Sequence, residues 1–273
     1  MLIDSHMHTP LCGHATGWPV EYAASAEEVG IGGIVMTCHS PATEISWQDP
    51  GVRMTMEQYE REYPQLVATA RLQFQGRVEV RMGLECDYVP GWEDSIDDLL
   101  NGAGRPRLDY ILGSVHPHLR PYRERFFTGD VAAYQRTYFD HLALAAESGL
   151  FHCLAHPDLI KNSFADQWSF DAIRPTILQA LDRIAKTGIA MEFNTSGRLK
   201  TIAEVFPSCA MLREMAQRKI PIVLGSDAHQ PVRVGDHFAE ALAILSEAGY
   251  HQVIHFVGGN PLATEFANIS SDR

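Results

Sequence analysis

The sequence predicts an α/β fold in which seven parallel strands, each followed by a helix, close into a distorted TIM-like barrel. Three observations support this prediction. Apolar runs bounded by turn residues alternate with helical stretches of about ten or more residues, an alternation typical of parallel βαβ units. The length of 273 residues suits one barrel domain spanning residues 1–273. Nearly every predicted strand ends at a residue that can bind a metal, and only a closed ring brings all strand ends to one rim.

The elements follow one another in strand and helix pairs. In chain order, the predicted pairs cover residues 2–8 and 20–29, 33–39 and 56–74, 77–85 and 92–100, 109–116 and 131–148, 151–156 and 170–186, 189–194 and 205–218, and 220–227 and 236–248. Each helix returns the chain to the same edge for the next parallel strand. Glycines at 149, 188 and 249 predict helix ends, because glycine readily adopts the left-handed cap conformation. A further apolar run at 252–257 leaves open an eighth strand.

Composition limits the class of protein. The chain is 45% hydrophobic and 21% charged, and no run of about twenty apolar residues occurs. Its first residues lack the basic and apolar regions of a signal peptide, so we expect a soluble, cytoplasmic protein without a membrane partner. The five cysteines are odd in number and include no CxxC motif, which predicts buried thiols in a reducing compartment rather than disulfides or a zinc ribbon. The oligomeric state stays open.

The net charge of -12 argues against binding extended nucleic acid, which depends on clustered Lys and Arg. It does not argue against a small phosphorylated substrate. Divalent ions held by neutral imidazoles add local positive charge that the formal count omits.

Nine metal-binding side chains lie at the ends of predicted strands or in the turns that follow: His6, His8, His14, His39, Glu85, His116, His156, Asp227 and His229. Residues two apart on a strand face the same side, so the first two rings can share one ion, and the last two residues repeat this spacing. Each histidine taken alone is more simply a hydrogen-bonded ring at an element end. The whole set favours metal binding, although arginine partners for the carboxylates remain an alternative.

Nine donors exceed the three protein ligands that a catalytic zinc ion usually takes, so the sequence predicts two or three ions. Glu85 is the best candidate to bridge two of them, because a carboxylate has two oxygens. The mixed nitrogen and oxygen donors suit zinc, iron or manganese. Such ions make water nucleophilic at neutral pH and hold phosphoryl oxygens.

In these stretches the chain resembles the PHP (polymerase and histidinol phosphatase) family, and within it the histidinol-phosphate phosphatase branch. The matching segments are DSHMHTPLCGHATG at 4–17, TCHSP at 37–41, GLECD at 83–87, DYILGSVH at 109–116, AHPDLIK at 155–161, EFNTSG at 192–197 and GSDAH at 225–229. They cover almost the whole domain. The HxH pair occurs in many barrels of the amidohydrolase type, whereas the ordered set is specific to this family.

The resemblance implies a distorted (βα)7 barrel with three divalent ions. One ion would be held by His6, His8, Glu85 and Asp227, the second by Glu85, His116 and His156, and the third by His14, His39 and His229. Glu85, Asp227, His229 and Arg198 would carry the catalysis. Cys38 stands where many relatives have an aspartate, which could loosen control of His39.

Five residues are candidates for substrate binding. Arg198 is the first choice for a phosphate clamp, because a guanidinium matches two phosphate oxygens, and Lys161 is the second; the alternative for each is a solvated charge at the rim. Asn194 and Ser196 could donate hydrogen bonds to the substrate or simply shape a turn. His118 could line the entrance or pack in its loop.

Some acidic residues admit two interpretations. Asp4 could orient a ligand or cap its strand. Asp87 and Asp158 could face a substrate cation, although solvated turns are the simpler interpretation.

The predicted reaction is hydrolysis of L-histidinol phosphate to L-histidinol and phosphate, a step of histidine biosynthesis. The enzymatic alternative is a PHP phosphoesterase that acts on nucleotides or oligonucleotide ends. A non-catalytic metal-binding module is the alternative from another class, and the intact ligand set argues against it.

Overall fold

Strand order in space follows strand order in sequence. In the computed structural model, which describes residues 1–41, 43 and 53–266, nine strands form one sheet. The first eight pair in parallel, and the last two form an antiparallel hairpin. They are β1 (Ile3–Asp4), β2 (Gly33–Met36), β3 (Glu79–Asp87), β4 (Tyr110–Ser114), β5 (Cys153–Leu154), β6 (Ala190–Asn194), β7 (Ile222–Gly225), β8 (Gln252–Val257) and β9 (Asn260–Glu265).

Helices alternate with these strands as predicted, with one addition. They are α1 (Pro19–Val29), α2 (Tyr63–Gln73), α3 (Glu93–Asn101), α4 (Arg120–Phe126), α5 (Val131–Glu147), α6 (Phe170–Thr187), α7 (Cys209–Gln217) and α8 (Phe238–Glu247), and a π-helical turn, Gln58–Glu62, leads into α2. The sequence did not predict α4. The glycines expected at helix ends, Gly149, Gly188 and Gly249, all have positive φ, so that prediction is confirmed. None of the helices among the described residues is long and apolar enough to cross a bilayer.

The first and seventh strands meet at their carboxyl ends. The amide of Ser5 donates to the carbonyl of Leu224 at 3.0 Å, and Met7 forms a parallel bridge with Ala228. The amino half of β7 pairs instead with β8, through Val223 and Ile254, so the sheet is not a fully closed ring. The α/β fold with seven sequential parallel strands is confirmed. The barrel is distorted because β1 and β7 pair only at the rim where the predicted ligands lie.

The β8–β9 hairpin covers the amino end of the barrel. Phe256 packs with Tyr110 and the other interior residues, and the carbonyl of Phe256 accepts from Arg81 at 3.1 Å. At the hairpin turn, the amide of Gly259 donates to the carbonyl of Asp109 at 3.0 Å. Burying a side chain of this size stabilises the fold by about 1.5–3 kcal/mol. The apolar run at 252–257 is therefore a strand, and it seals the end of the barrel opposite the predicted site.

Buried polar contacts set the carboxyl ends of β2 and β3. The hydroxyl of Tyr63, on α2, donates to the carbonyl oxygens of Met36 at 2.6 Å and Gly83 at 3.0 Å. These carbonyls lie just before two predicted ligands on neighbouring strands. The five cysteines are free thiols and four are buried, as expected from the sequence.

Candidate metal centre

The nine predicted ligands lie together at the carboxyl rim. Each has a side-chain nitrogen or oxygen within 3.5 Å of another member of the set, and these contacts connect all nine into one network. Five of them are buried, His39, Asp227 and His229 are partly buried, and His14 is exposed. The sequence therefore identified residues that the fold brings into one cluster.

Glu85 lies at the centre of this network. Its Oε1 faces His156 Nε2 at 3.0 Å and His116 Nε2 at 3.2 Å. Its Oε2 faces His39 Nδ1 at 2.8 Å and lies 3.5 Å from Nε2 of both His6 and His8. The two oxygens of one carboxylate thus address two different groups of imidazoles. This is the arrangement expected of a bridging ligand.

Backbone geometry aims the remaining groups at the same point. His39 forms a parallel bridge with Glu85, which places the ends of β2 and β3 side by side. His156 and Asp227 have positive φ values of 26° and 52°, in a region that non-glycine residues rarely occupy. Such backbone strain is typical of functional sites, where it fixes the direction of a side chain.

Three groups of donors could each hold a divalent ion: His6, His8 and Asp227; Glu85, His116 and His156; and His8, His39 and His229. Within each group the ligand atoms lie within 4.8 Å of one another. The first is the set implied by the family resemblance without Glu85, and the second is the full implied set. The third contains His8 in place of His14. The Nε2 of His14 lies 3.0 Å from that of His229, at the edge of this group.

Carboxylates behind the histidines fix the direction of the rings. Nδ1 of His6 donates to Glu192 at 2.7 Å, and Nδ1 of His116 donates to Asp87 at 2.6 Å. The second oxygen of Glu192 accepts from the amide of His156 at 2.8 Å. These acceptors leave each Nε2 free to face the cavity.

The sequence interpretation missed Glu192 as a functional residue. A carboxylate inside an apolar strand was the signal that would have found it. The interpretation of Asp87 and Asp158 as solvated turns was wrong, because both are buried. Asp87 pairs with Arg53 at 2.6 Å, and Asp158 pairs with Lys161 at 3.2 Å.

Asp4, on β1, forms hydrogen bonds with the segment that follows β7. Its carboxylate accepts from the hydroxyl of Ser226 at 2.5 Å and from the amide of Gly235 at 2.8 Å. It also accepts from the amide of His6 at 3.4 Å. Burial raises the pKa of Asp4 to about 6, and these hydrogen bonds oppose the shift. Asp4 therefore acts mainly through the ring closure between β1 and β7.

Opposite charges are concentrated inside the cluster. Burial alone would raise the pKa of Glu85 and of Asp227. The facing imidazoles outweigh this effect and hold both pKa values well below the usual value. Against the effect of burial, the surrounding carboxylates raise the pKa of His6 well above its usual value and that of His116 to about 9. Burial and neighbouring imidazoles lower the pKa of His8. The metal-free cluster thus keeps its carboxylates charged and protonates selected rings.

The donor set fits divalent cations. Nδ1 of the buried His156 has no hydrogen-bond partner, and Oε2 of Glu85 and Nδ1 of His39, although 2.8 Å apart, do not have the geometry of a hydrogen bond. Buried polar atoms are usually satisfied, so unsatisfied atoms need an explanation. An ion at the centre would account for the oxygen of Glu85, and imidazoles with carboxylates are ligands of zinc, iron and manganese.

The turn after β6 brings two substrate-binding candidates to the rim. The hydroxyl of Ser196 donates to Oδ2 of Asp227 at 3.0 Å, so this turn touches the cluster directly. Arg198 lies two residues further on, is partly exposed and pairs with Glu240 at 2.5 Å. The side chain of Asn194 is buried, donating to Glu192 and accepting from the amide of Ser196. The turn interpretation fits these contacts of Asn194.

The other two candidates differ in their surroundings. His118 is exposed beside His116, with ring centroids 5.4 Å apart, as an entrance residue would be. Lys161 was placed at the rim by both sequence interpretations, and its complete burial contradicts that placement. Its ammonium donates to the carbonyl of Val205 at 2.6 Å and pairs with Asp158 and Glu204.

Metal affinity should rise steeply with pH. An imidazole must be neutral to bind a metal, so an ion has to displace the protons held by His6 and His116. Below about pH 9, affinity should increase about tenfold per pH unit for each proton displaced. We expect zinc competition titrations to give an affinity at least about 100-fold higher at pH 8.5 than at pH 6.5. A pH-independent affinity would contradict proton displacement.

The same protons stabilise the metal-free fold. Because the folded-state pKa of His116 is raised, its contribution is fully present below about pH 6.5 and is lost as the pH rises through about 9.

Comparisons with known proteins agree with this geometry. The model of the PHP domain family matches residues 4–196. A probable histidinol-phosphatase of Deinococcus radiodurans is 40% identical over 261 residues, covering 91% of this chain and 94% of the relative. A histidinol-phosphatase of Bacillus subtilis is 31% identical over 262 residues, covering 85% of this chain and 95% of the relative.

One solved structure has the same fold. It is the histidinol phosphate phosphatase of Lactococcus lactis complexed with zinc, L-histidinol and phosphate. This chain superimposes on it with a TM-score of 0.77 at 20% identity, over 96% of this chain and 98% of the other.

Proposed function

The chain belongs to the PHP domain family, and we propose that it is a metal-dependent phosphomonoester hydrolase that converts L-histidinol phosphate and water to L-histidinol and phosphate. This reaction is a step of histidine biosynthesis. The observation that carries the proposal is Glu85, whose two oxygens face separate groups of imidazoles in one buried cluster. The 40% identical relative, a probable histidinol-phosphatase, supports the choice of substrate.

We assign three divalent ions of zinc, iron or manganese to the cluster. His6, His8, Glu85 and Asp227 would hold the first, and Glu85, His116 and His156 the second. His39 and His229 would hold the third together with His14, and His8 lies within reach of the same ion. Bound divalent ions supply a positive field that makes water nucleophilic at neutral pH and offsets phosphoryl charge.

The residues of the chain then bind and orient the substrate. We assign the phosphate clamp to Arg198, which would exchange Glu240 for phosphoryl oxygens, because a charged guanidinium binds a phosphate through paired hydrogen bonds. Ser196 holds Asp227 in place. His118 stands at the entrance. Lys161 would act indirectly, through the carbonyl of Val205 in the loop that packs on the Asn194 turn.

Phosphate release from a panel of monoesters tests the proposal. Metal-loaded protein should hydrolyse L-histidinol phosphate with a kcat/KM at least about tenfold above those for nucleoside monophosphates and bisphosphates, because binding groups shaped for one leaving group discriminate by about 1–3 kcal/mol. Single-stranded DNA with a terminal phosphate completes the panel.

The other outcomes are distinct. A preference for a nucleotide or a DNA end would show that the substrate belongs to the alternative class and is not histidinol phosphate. Protein that binds its full set of ions and releases no phosphate from any ester would be a metal-binding module.

A further inference from the structure

Cys12 contacts three of the proposed ligands, although it is not assigned as a ligand itself. Its sulfur lies 3.4 Å from Nδ1 of His8 and accepts from the backbone amide of His39 at 3.2 Å. Its carbonyl oxygen accepts from Nδ1 of His14 at 2.6 Å. The side chain is completely buried. Cys12 therefore contacts two ligands of its own loop and the more distant His39, all on the same side of the cluster.

The contact with His8 follows a pattern that runs through the centre. A histidine that binds a metal through one nitrogen usually donates the other N–H to a fixed acceptor. His6 uses Glu192 for this purpose, and His116 uses Asp87. For His8, the group in the corresponding position is the sulfur of Cys12. A thiol thus occupies a place that carboxylates occupy elsewhere in the cluster.

The hydrogen bonds around this sulfur are mutually consistent. The sulfur of Cys12 has two lone pairs, which can accept from Nδ1 of His8 and from the backbone amide of His39. A neutral thiol can therefore satisfy both donors at once.

We propose that Cys12 is a positioning residue that holds His8, His14 and His39 for the third metal ion. The inference rests on the proposed function, since it assumes that the cluster binds metals. The donor group of His8, His39 and His229 depends on Cys12 for two of its three members. The group of Glu85, His116 and His156 has its own supports in Asp87 and Glu192. Because His8 belongs to two donor groups, loss of the Cys12 sulfur should weaken the ions bound on the side of His8 and His39 and spare the group of Glu85, His116 and His156.

The test compares Cys12→Ala and Cys12→Ser with the parent protein and with Cys153→Ala. Cys153 is equally buried but lies in the barrel interior, where its sulfur contacts the carbonyl of Leu154. Each protein is loaded with zinc and dialysed without substrate, and bound zinc is measured by mass spectrometry. Zinc affinities come from competition with a chromophoric chelator.

We expect Cys12→Ala to retain fewer ions than the parent but to keep at least one, with the affinity for the lost zinc lowered by about 10–100-fold. Cys12→Ser, which restores a hydrogen-bond acceptor, should retain more zinc than Cys12→Ala. Cys153→Ala should match the parent. Melting temperatures of the metal-free proteins show whether the alanine variants fold equally well.

Three results would overturn the inference: unchanged zinc content in Cys12→Ala, loss of all ions together, or an equal loss in Cys153→Ala. Each would mean that Cys12 does not act selectively on the side of the cluster that holds His8 and His39. The proposed function fails separately, when metal-loaded parent protein releases no phosphate from L-histidinol phosphate while its zinc content is intact.

Discussion

Replacing Glu85 with glutamine should abolish most of the phosphatase activity, lowering kcat/KM by about 10³-fold or more. The substitution keeps the shape of the side chain but removes its charge and replaces one oxygen with an NH2 group. That NH2 group would face either His39 or the pair His116 and His156, because the two carboxylate oxygens serve opposite sides of the cluster. An amide cannot bridge two cations, so the variant should also retain fewer metal ions. Phosphate release and metal content by mass spectrometry measure the two effects.

Glu79→Gln is the matched control for this substitution. Glu79 begins the same strand, β3, at the opposite end of the barrel, where it is half-exposed and pairs with Arg81. Glu79 does not contact the cluster, and the buried Arg81 keeps its hydrogen bond to the carbonyl of Phe256, so this variant should keep the parent activity and metal content. A Glu85→Gln protein with parent activity and full metal content would remove Glu85 from the centre of the mechanism.

The sequence could predict the cluster because its ligands lie where apolar strands end. This placement needs no long-range information, since parallel strands that close into a barrel bring their carboxyl ends to one rim. His6, His39 and His156 are far apart in the chain, yet each follows a strand and reaches the same cavity. Pairing lengths were less predictable. β1 and β5 are only two residues long, and pairing beyond β1 continues only as isolated contacts such as the bridge between Met7 and Ala228.

Burial of charged residues was the part that local sequence could not supply. Lys161 follows a strand end and has the composition of a rim residue, but the loop carrying Glu204 and Val205 covers it completely. Asp158 is a local partner, but the contacts with Glu204 and Val205 come from more than forty residues away in the chain. Only the folded structure shows that the ammonium group of Lys161 is paired with partners inside the protein.

The sequence contains a local signal for the β8–β9 hairpin. Gly258 and Gly259 both have positive φ and form the two-residue turn between β8 and β9. Such a pair after an apolar run is typical of a tight hairpin. β9 itself is mostly exposed, so it lacks the apolar alternation that identifies a strand. The glycine turn before β9, rather than the composition of β9 itself, indicates that this strand is present.

Removing the metal ions should reduce hydrolysis to the rate of buffer alone. In the metal-free protein the cluster holds protons on His6 and His116, but these imidazolium groups are paired with Glu192 and Glu85 and cannot coordinate water as a divalent ion does. The activity should return on adding zinc, manganese or ferrous iron. Magnesium is the matched control ion, because it prefers an all-oxygen shell with several waters and should restore little activity to an imidazole-rich site.

Thermal unfolding of the same samples gives an independent measure of this prediction. A ligand present at 100 times its Kd stabilises the folded state by about 2.7 kcal/mol, and for large domains each kcal/mol shifts Tm by about 2–4 °C. Chelation should therefore lower Tm by about 5–10 °C while leaving the protein folded, because protonated His6 still neutralises Glu192 and Asp227 in the absence of an ion. Activity that survives complete metal removal would exclude metal-dependent hydrolysis. A loss of activity that no added ion reverses, in protein with an unchanged Tm, would show that the cluster does not bind metal.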